Sequence, residues 1–178
     1  MRFGGIVLAT AFVLGACTSK PAPLEPSGPP PSASASPTIT VPTPVAQVSE
    51  DTPEGAAAFV KHYVDVFNYA AATGDVEELS RLSSPDCGGC QSYITLYRDT
   101  YKAGGYFKGG DWKIGDFQVK PGEADTVLFA KVTSEAGTYV TESGSSPQPG
   151  NGENSDLTFV AKRTAQGWML TTLELQAS

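Results

Sequence analysis

Apolar residues recur at spacings of three and four after residue 53, which is the period of an amphipathic helix. The first predicted helix covers residues 54–75, and its apolar face consists of Ala56, Phe59, Val60, Tyr63, Val64, Phe67 and Ala71. A threonine-proline pair before this helix and a threonine-glycine pair at its end are typical of helix boundaries. Shorter helices are predicted over residues 75–83 and 91–105.

From residue 112 the apolar and polar positions alternate, which is the period of a β-strand. Five strands are predicted, over residues 112–120, 126–134, 137–143, 156–163 and 168–176. The alternation slips by one residue at Gly115, which indicates a β-bulge. Residues 143–155 are polar and rich in Gly, Pro and Ser, and they predict a long flexible loop. Helices followed by strands predict an α+β fold with helices packed on a curved antiparallel sheet.

A separate apolar run, from Ile6 to Ala16, ends directly before Cys17. It is shorter than the ~20 residues that span a bilayer, and it has the size and small-residue ending of a secretory signal. Leu-Gly-Ala-Cys resembles the bacterial lipobox, in which the cysteine thiol receives a diacylglycerol and the signal is cut before it. Two acyl chains anchor a protein stably. We therefore expect a signal peptide over residues 1–16 and a lipid on Cys17, which places the protein on the extracytoplasmic face of the cell membrane; the alternative is an ordinary cleaved signal.

The segment after Cys17 has a different composition. Residues 18–49 hold nine of the 14 prolines of the chain, and only Lys20 and Glu25 are charged. Such a segment has too few apolar residues to form a core and is expected to be disordered or polyproline-like. We therefore expect residues 17–49 to form a stalk that carries one folded domain over residues 50–178.

Charge excludes some classes of partner. The 178-residue chain has a net charge of −7, and residues 50–178 hold 18 acidic and 10 basic residues, a net of −8. No basic patch is interleaved with aromatic residues, which argues against nucleic acid as a partner. One histidine and three cysteines provide no convincing zinc ligand set, and no phosphate-binding glycine loop or Ser-His-Asp order is present. The sequence therefore predicts no cofactor and no metal, and it favours a non-enzymatic role.

Two stretches together carry a family resemblance. "TPEGAAAFVKHYVDVFNYAAATGDVEEL" followed by "LSSPDCGGC" resembles a domain family of actinobacterial lipoproteins that has no assigned function. The resemblance covers about residues 50–178. The order of helices and strands is similar to the nuclear-transport-factor-2-like (cystatin-like) cone, which SnoaL-type cyclases and ketosteroid isomerases share. That likeness implies a fold and carries no activity with it.

Cys87 and Cys90 form a CxxC motif, for which two interpretations exist. A redox motif normally opens a helix directly after a strand, where the helix dipole favours the thiolate. The residues before Cys87 do not predict a strand, and Asp86 would oppose a thiolate. In an oxidising envelope we therefore expect a structural disulfide that fixes the turn between two helices. His62 and Asp65 are three residues apart on the first helix, and the pattern favours a solvated surface pair over a catalytic one.

Aromatic residues and one carboxylate are the remaining site candidates. Tyr97, Trp112 and Asp116 are candidates for a pocket in the cone, with Trp112 at its rim and Asp116 re-aimed by the bulge. The favoured function is an envelope lipoprotein whose domain binds a protein, a glycan or a small apolar ligand without catalysis. The alternative is a small cone-fold isomerase or dehydratase that acts on an apolar substrate with Asp116 or His62 as its base.

Overall fold

The helices precede the strands along the chain. The computed structural model describes residues 39–176. A 3-10 helix covers Ala46–Ser49, and the α-helices are α1 (Pro53–Thr73), α2 (Glu77–Leu82) and α3 (Gly88–Lys102). Within the described residues, no helix has the length and apolarity that crossing a bilayer requires. The predicted signal peptide, Cys17 and the stalk as far as residue 38 lie outside the described residues.

The strands form two antiparallel sheets. The small sheet has the order β1-β4-β5, with β1 at Tyr106–Gly109, β4 at Gly137–Val140 and β5 at Gln148–Gly150. The main sheet has the order β2-β3-β6-β7, with strands at Trp112–Pro121, Asp125–Ser134, Glu153–Thr164 and Gly167–Leu175. The predicted α+β fold is confirmed, because the helices pack on antiparallel sheets whose strands follow them in sequence.

Helix α1 lies across the main sheet and supplies one side of the core. It begins where the Thr52 hydroxyl accepts a hydrogen bond from the Gly55 N–H at 3.0 Å. It ends at Gly74, which has a left-handed backbone with φ of 76° and lies against the Tyr101 ring. The predicted apolar face is buried, except that Ala71 is half-buried, and it packs against main-sheet residues that include Leu128, Phe159 and Leu170.

The start of α3 lies directly against strand β7. The Ser84 N–H donates to the Leu170 carbonyl at 2.8 Å, and a Cβ on Gly89 would lie only 2.0 Å from the Leu173 carbonyl oxygen. The predicted start of this helix at residue 91 is wrong, because α3 begins at Gly88 with Cys87 as its N-cap. Gly89, which has no Cβ, allows the first turn of the helix to approach the strand.

Strand β2 contains the predicted bulge. Its register with β3 shifts between Ile114 and Phe117, so Gly115 and Asp116 lie in the irregular part of the strand. The predicted loop over residues 143–155 is wrong in part, because it contains β5 and the beginning of β6. Strand β5 is short and pairs along its length with β4, so backbone hydrogen bonding rather than apolar alternation defines it.

The folded part begins before residue 50. The Ser49 carbonyl accepts a hydrogen bond from Arg163 Nη2 at 2.8 Å, and the Glu50 carbonyl accepts one from Trp168 Nε1 at 3.0 Å. These bonds hold the 3-10 helix and the entry to α1 against the turn between β6 and β7. The last residues of the predicted stalk therefore belong to the folded region. Their composition predicts disorder, but contacts with Arg163 and Trp168 fix their backbone.

Candidate functional site

A cavity of ≈ 310 Å³ opens between α3 and the main sheet. Tyr93 of α3 and Trp112 at the start of β2 form its aromatic wall. The remaining lining residues come from the main sheet and are Val132, Ser134, Glu153, Ser155, Leu157, Leu173, Glu174 and Leu175. We call this site the aromatic cavity.

The side chain of Asn68 fixes the backbone of Trp112. Asn68 Nδ2 donates to the Trp112 carbonyl at 2.9 Å, and the Trp112 N–H donates to Asn68 Oδ1 at 2.9 Å. The indole packs on Phe67 with ring centroids 4.2 Å apart, and it meets the Tyr93 ring edge-on at 5.4 Å. Asn68 therefore holds the backbone of Trp112 on helix α1, and Phe67 of the same helix holds its indole. The part of the indole that stays exposed lines the cavity.

The cavity has an apolar floor and an acidic rim. Val132, Leu157 and Leu173 are buried, whereas Glu153 and Glu174 are exposed. Glu153 lies on the same face of β6 as Leu157, but it is the first residue of the strand and is therefore more exposed. Glu174 directly follows Leu173 in β7, so the two side chains point to opposite faces of the sheet. A small apolar molecule would therefore contact hydrocarbon and aromatic groups inside and carboxylates at the opening.

Tyr93 is a hydrogen-bond donor at neutral pH. Burial raises the pKa of its hydroxyl, and the nearby negative charge of Glu153 raises this pKa further. The phenol therefore stays protonated, and its position at the cavity wall allows it to bind a polar atom of a ligand.

The structure separates the three predicted pocket residues. Trp112 lines the aromatic cavity, whereas Tyr97 is buried beside Phe67 with ring centroids 5.4 Å apart and belongs to the core. Burial raises the pKa of the Tyr97 hydroxyl. Asp116 is exposed and lies outside this cavity, because the bulge turns it to a different surface of the sheet, near Lys131 and Asp156.

His62 is buried, and the predicted surface pair with Asp65 is wrong. The His62 residue is 5% exposed, whereas Asp65 is exposed to solvent. Burial lowers the pKa of His62, although the carboxylates of Glu78 and Asp65 act in the opposite direction. His62 does not line the aromatic cavity. The buried face of α1 is wider than the spacing of its apolar residues predicts. Helix α2 and the β6–β7 turn cover a second side of α1, and His62 lies on that side.

The CxxC motif lies in the core. The sulfur atoms of Cys87 and Cys90 are 1.97 Å apart, at disulfide-bonding distance. The two residues are 1% and 0% exposed, respectively. The motif opens helix α3, which is a position that redox motifs also occupy, but burial denies a substrate access to either sulfur.

Sequence patterns do not identify several residues of the aromatic cavity. Tyr93 belongs to the aromatic residues whose helical spacing allows either a pocket or a core. Glu153 and Glu174 have no motif around them, and they approach Tyr93 only in the folded domain. Helical spacing places Asn68 on the polar face of α1 and gives no sign that it binds the backbone of a residue 44 positions away. Within residues 39–176, no group of three or more His, Cys, Asp or Glu residues is arranged to hold a metal ion.

Several solved structures are similar to this chain at low sequence identity. The intermembrane space region of the chloroplast protein ARC6 matches with a TM-score of 0.52 at 11% identity, over 72% of this chain and 99% of that chain. The Kfla4162 protein of Kribbella flavida matches with a TM-score of 0.50 at 17% identity, over 71% of this chain and 93% of that chain. A protein of the NTF2-like family from Streptomyces avermitilis matches with a TM-score of 0.46 at 18% identity, over 71% and 99% of the two chains.

The structural neighbours include proteins described as NTF2-like and cystatin-like. No curated protein matches the sequence. The model of one protein family matches residues 31–174, and its description is a family of unknown function, DUF6318. This match includes the helix and the CGGC motif that carry the resemblance. The chain therefore belongs to the DUF6318 family.

Proposed function

We propose that the protein is an envelope lipoprotein, anchored through a diacylglycerol on Cys17, whose domain binds a small apolar ligand without transforming it. The Leu-Gly-Ala-Cys sequence supports the anchor, and two acyl chains suffice for stable membrane attachment. The proline-rich segment after Cys17 supports a stalk that carries the domain away from the membrane surface.

The composition of the aromatic cavity carries the binding part of this proposal. Small-molecule sites are concave, mostly apolar and equipped with a few polar groups. The aromatic cavity is concave and has Trp112 and Tyr93 as its wall and buried aliphatic residues as its floor, and two serines and two glutamates supply its polar groups. Its volume of ≈ 310 Å³ lies at the lower end of the ~300–1,000 Å³ that is typical of ligand pockets.

Catalysis is less well supported than binding. A general base in an apolar cavity is normally tuned by burial, but the two carboxylates at the aromatic cavity are exposed. The buried histidine, His62, lines a different part of the molecule. The acidic rim also favours a neutral or cationic ligand, since an anion would meet repulsion from Glu153 and Glu174.

Filling the cavity tests the proposal. Nile red is a neutral apolar dye, and we expect its fluorescence to increase when it enters the aromatic cavity. Ser155→Leu adds apolar volume to the cavity wall and should weaken dye binding at least tenfold. Ser146→Leu makes the same chemical change in an exposed loop and should leave binding unchanged. Equal binding by both variants would show that the dye does not use this cavity.

The anchor has an independent test. Cys17→Ser removes the thiol to which the lipid would be attached, so the protein should accumulate unprocessed or leave the membrane fraction. Intact-mass analysis of the wild-type protein should show acyl mass on an N-terminus at Cys17. A mature protein without acyl mass would refute the anchor and would not affect the binding proposal.

A further inference from the structure

A second cavity, of ≈ 540 Å³, lies between α1, α2, the β6–β7 turn and residues 44–49. Its polar and aromatic lining includes His62, Arg81, Arg163 and Trp168. It shares no lining residue with the aromatic cavity. We call it the basic cavity.

The charge of this cavity is opposite to that of the protein. The chain has a net charge of −7, yet the lining contains two arginines, one histidine and no carboxylate. Arg81 is already paired, because its Nε donates to Glu78 Oε2 at 2.7 Å. Arg163 forms no ion pair with a carboxylate among the described residues, so a positive charge at this cavity is left without a counter-ion there.

Two buried nitrogen atoms of the lining residues are also without partners. Within residues 39–176, neither His62 Nε2 nor Arg163 Nη1 has a hydrogen-bond partner. A buried polar atom that makes no hydrogen bond is unfavourable, and more so when it carries charge. Arg163 Nη1 can only donate a hydrogen bond, and His62 Nε2 donates one in the tautomer that carries its proton there. In that tautomer, both atoms indicate a ligand that accepts hydrogen bonds.

The Arg163 guanidinium is held in a fixed orientation. Its Nη2 donates to the Ser49 carbonyl at 2.8 Å, and its central carbon lies 5.4 Å from the centre of the Trp168 ring. These contacts leave Nη1 for another acceptor. The cavity also has an apolar side, formed by Phe59, Leu82 and Val48 among others.

We propose that the basic cavity binds an organic carboxylate with an apolar body. The carboxylate accepts hydrogen bonds from Arg163 Nη1 and His62 Nε2, one for each oxygen, and the apolar body packs on Phe59 and Trp168. Arginine suits this role because its guanidinium stays charged, and a charge-assisted hydrogen bond from Nη1 to a carboxylate is stronger than a neutral one. An anion is the class of ligand that the acidic rim of the aromatic cavity disfavours.

The test compares an acid with its alcohol. 4-Phenylbutanoate and 4-phenylbutan-1-ol have the same apolar body, and only the first carries a carboxylate. Binding to the full-length protein is measured by isothermal titration calorimetry, with acetate as a carboxylate that lacks the apolar body. We expect 4-phenylbutanoate to bind at least tenfold more tightly than either the alcohol or acetate.

Variants assign the binding to the basic cavity. Arg163→Gln should weaken 4-phenylbutanoate binding about tenfold to a hundredfold, the usual effect of losing a charge-assisted hydrogen bond. Arg98→Gln alters an exposed arginine outside the cavity and should have no effect. His62→Leu should weaken binding without lowering the melting temperature, because it removes a buried nitrogen that has no partner. Equal affinities for acid and alcohol, equal affinities for phenylbutanoate and acetate, or full binding by Arg163→Gln and His62→Leu would overturn the proposal.

Discussion

Replacing Gly89 with alanine should destabilise the domain, whereas the same replacement at Gly88 should not. The two glycines are adjacent in the CGGC motif, at the start of α3. A Cβ at position 89 would lie 2.0 Å from the Leu173 carbonyl oxygen and 3.1 Å from its carbonyl carbon. A Cβ at position 88 meets nothing within 4 Å.

The size of the effect follows from this clash. A carbon–oxygen contact normally needs about 3.3 Å, so α3 and β7 would have to separate by about 1.3 Å. Leu173 is paired with Phe159 in the main sheet, and Cys87 and Cys90 pack in the core next to the clash. Overpacking usually costs ~1–3 kcal/mol, and a collision with backbone lies at the upper end of that range. At roughly 4 °C per kcal/mol for a domain of this size, the melting temperature should fall by about 10 °C.

Thermal unfolding of the full-length protein, followed by far-UV circular dichroism, measures this difference. Gly88→Ala should be neutral or stabilising by about 0.5 kcal/mol, since alanine restricts the unfolded chain more than glycine does. It therefore controls for the general effect of adding a methyl group to the motif. Melting temperatures for Gly89→Ala and Gly88→Ala within 2 °C of each other would refute the close approach of α3 to β7.

Three further predictions concern buried polar groups and the disulfide. Replacing Cys87 and Cys90 together with serine should lower stability by about 2 kcal/mol, because the loop is short, and in the reduced wild-type protein iodoacetamide should react slowly until the domain unfolds. The stability of the wild-type protein should decrease between pH 7 and pH 5 more than that of His62→Leu, because the folded pKa of His62 lies below its unfolded value of ~6.5 and the unfolded state therefore binds more protons. Equal slopes of unfolding free energy against pH in urea titrations would contradict this assignment. Asn68→Leu should lower the free energy of unfolding by about 1–3 kcal/mol, because it leaves the Trp112 N–H and carbonyl without their side-chain partner. With Trp168 replaced by phenylalanine in both proteins, a shift of the Trp112 emission to longer wavelength would report the loosened indole.

The sequence contains enough information for the α+β fold and for the buried face of α1. Tyr63 and Phe67 are buried as predicted, because helical spacing alone places them on the side of α1 that faces the sheet. The bulge in β2 is also predictable, since a strand whose alternation slips by one residue must take up an extra residue to keep its apolar side chains on the core face. The periodicity of apolar residues is sufficient to predict buried positions wherever a helix or strand packs on one large surface.

Local periodicity fails where a residue contacts more than one neighbouring element. His62 is adjacent to the apolar stripe and becomes buried because α2 and the β6–β7 turn cover it, and no spacing within α1 indicates their arrival. Strand β5, at Gln148–Gly150, contains proline and glycine and has no apolar alternation. It forms because its backbone pairs with that of β4. The aromatic cavity also depends on tertiary structure, since Tyr93 and Glu153 are 60 positions apart in the chain and meet only at its wall.

The distribution of charge connects the two cavities. Residues 50–178 contain three arginines, and two of them, Arg81 and Arg163, line the basic cavity. The charged residues at the aromatic cavity are glutamates. If net acidity served solubility alone, charges of both signs would be spread over the surface without regard to the cavities. The arginines line one cavity and the glutamates line the other, so each cavity attracts ligands of one charge and repels ligands of the other. Electrostatic complementarity of this kind mainly determines which partners are excluded. If both proposals hold, the glutamates would keep anions out of the aromatic cavity, whereas the arginines would favour anions in the basic cavity.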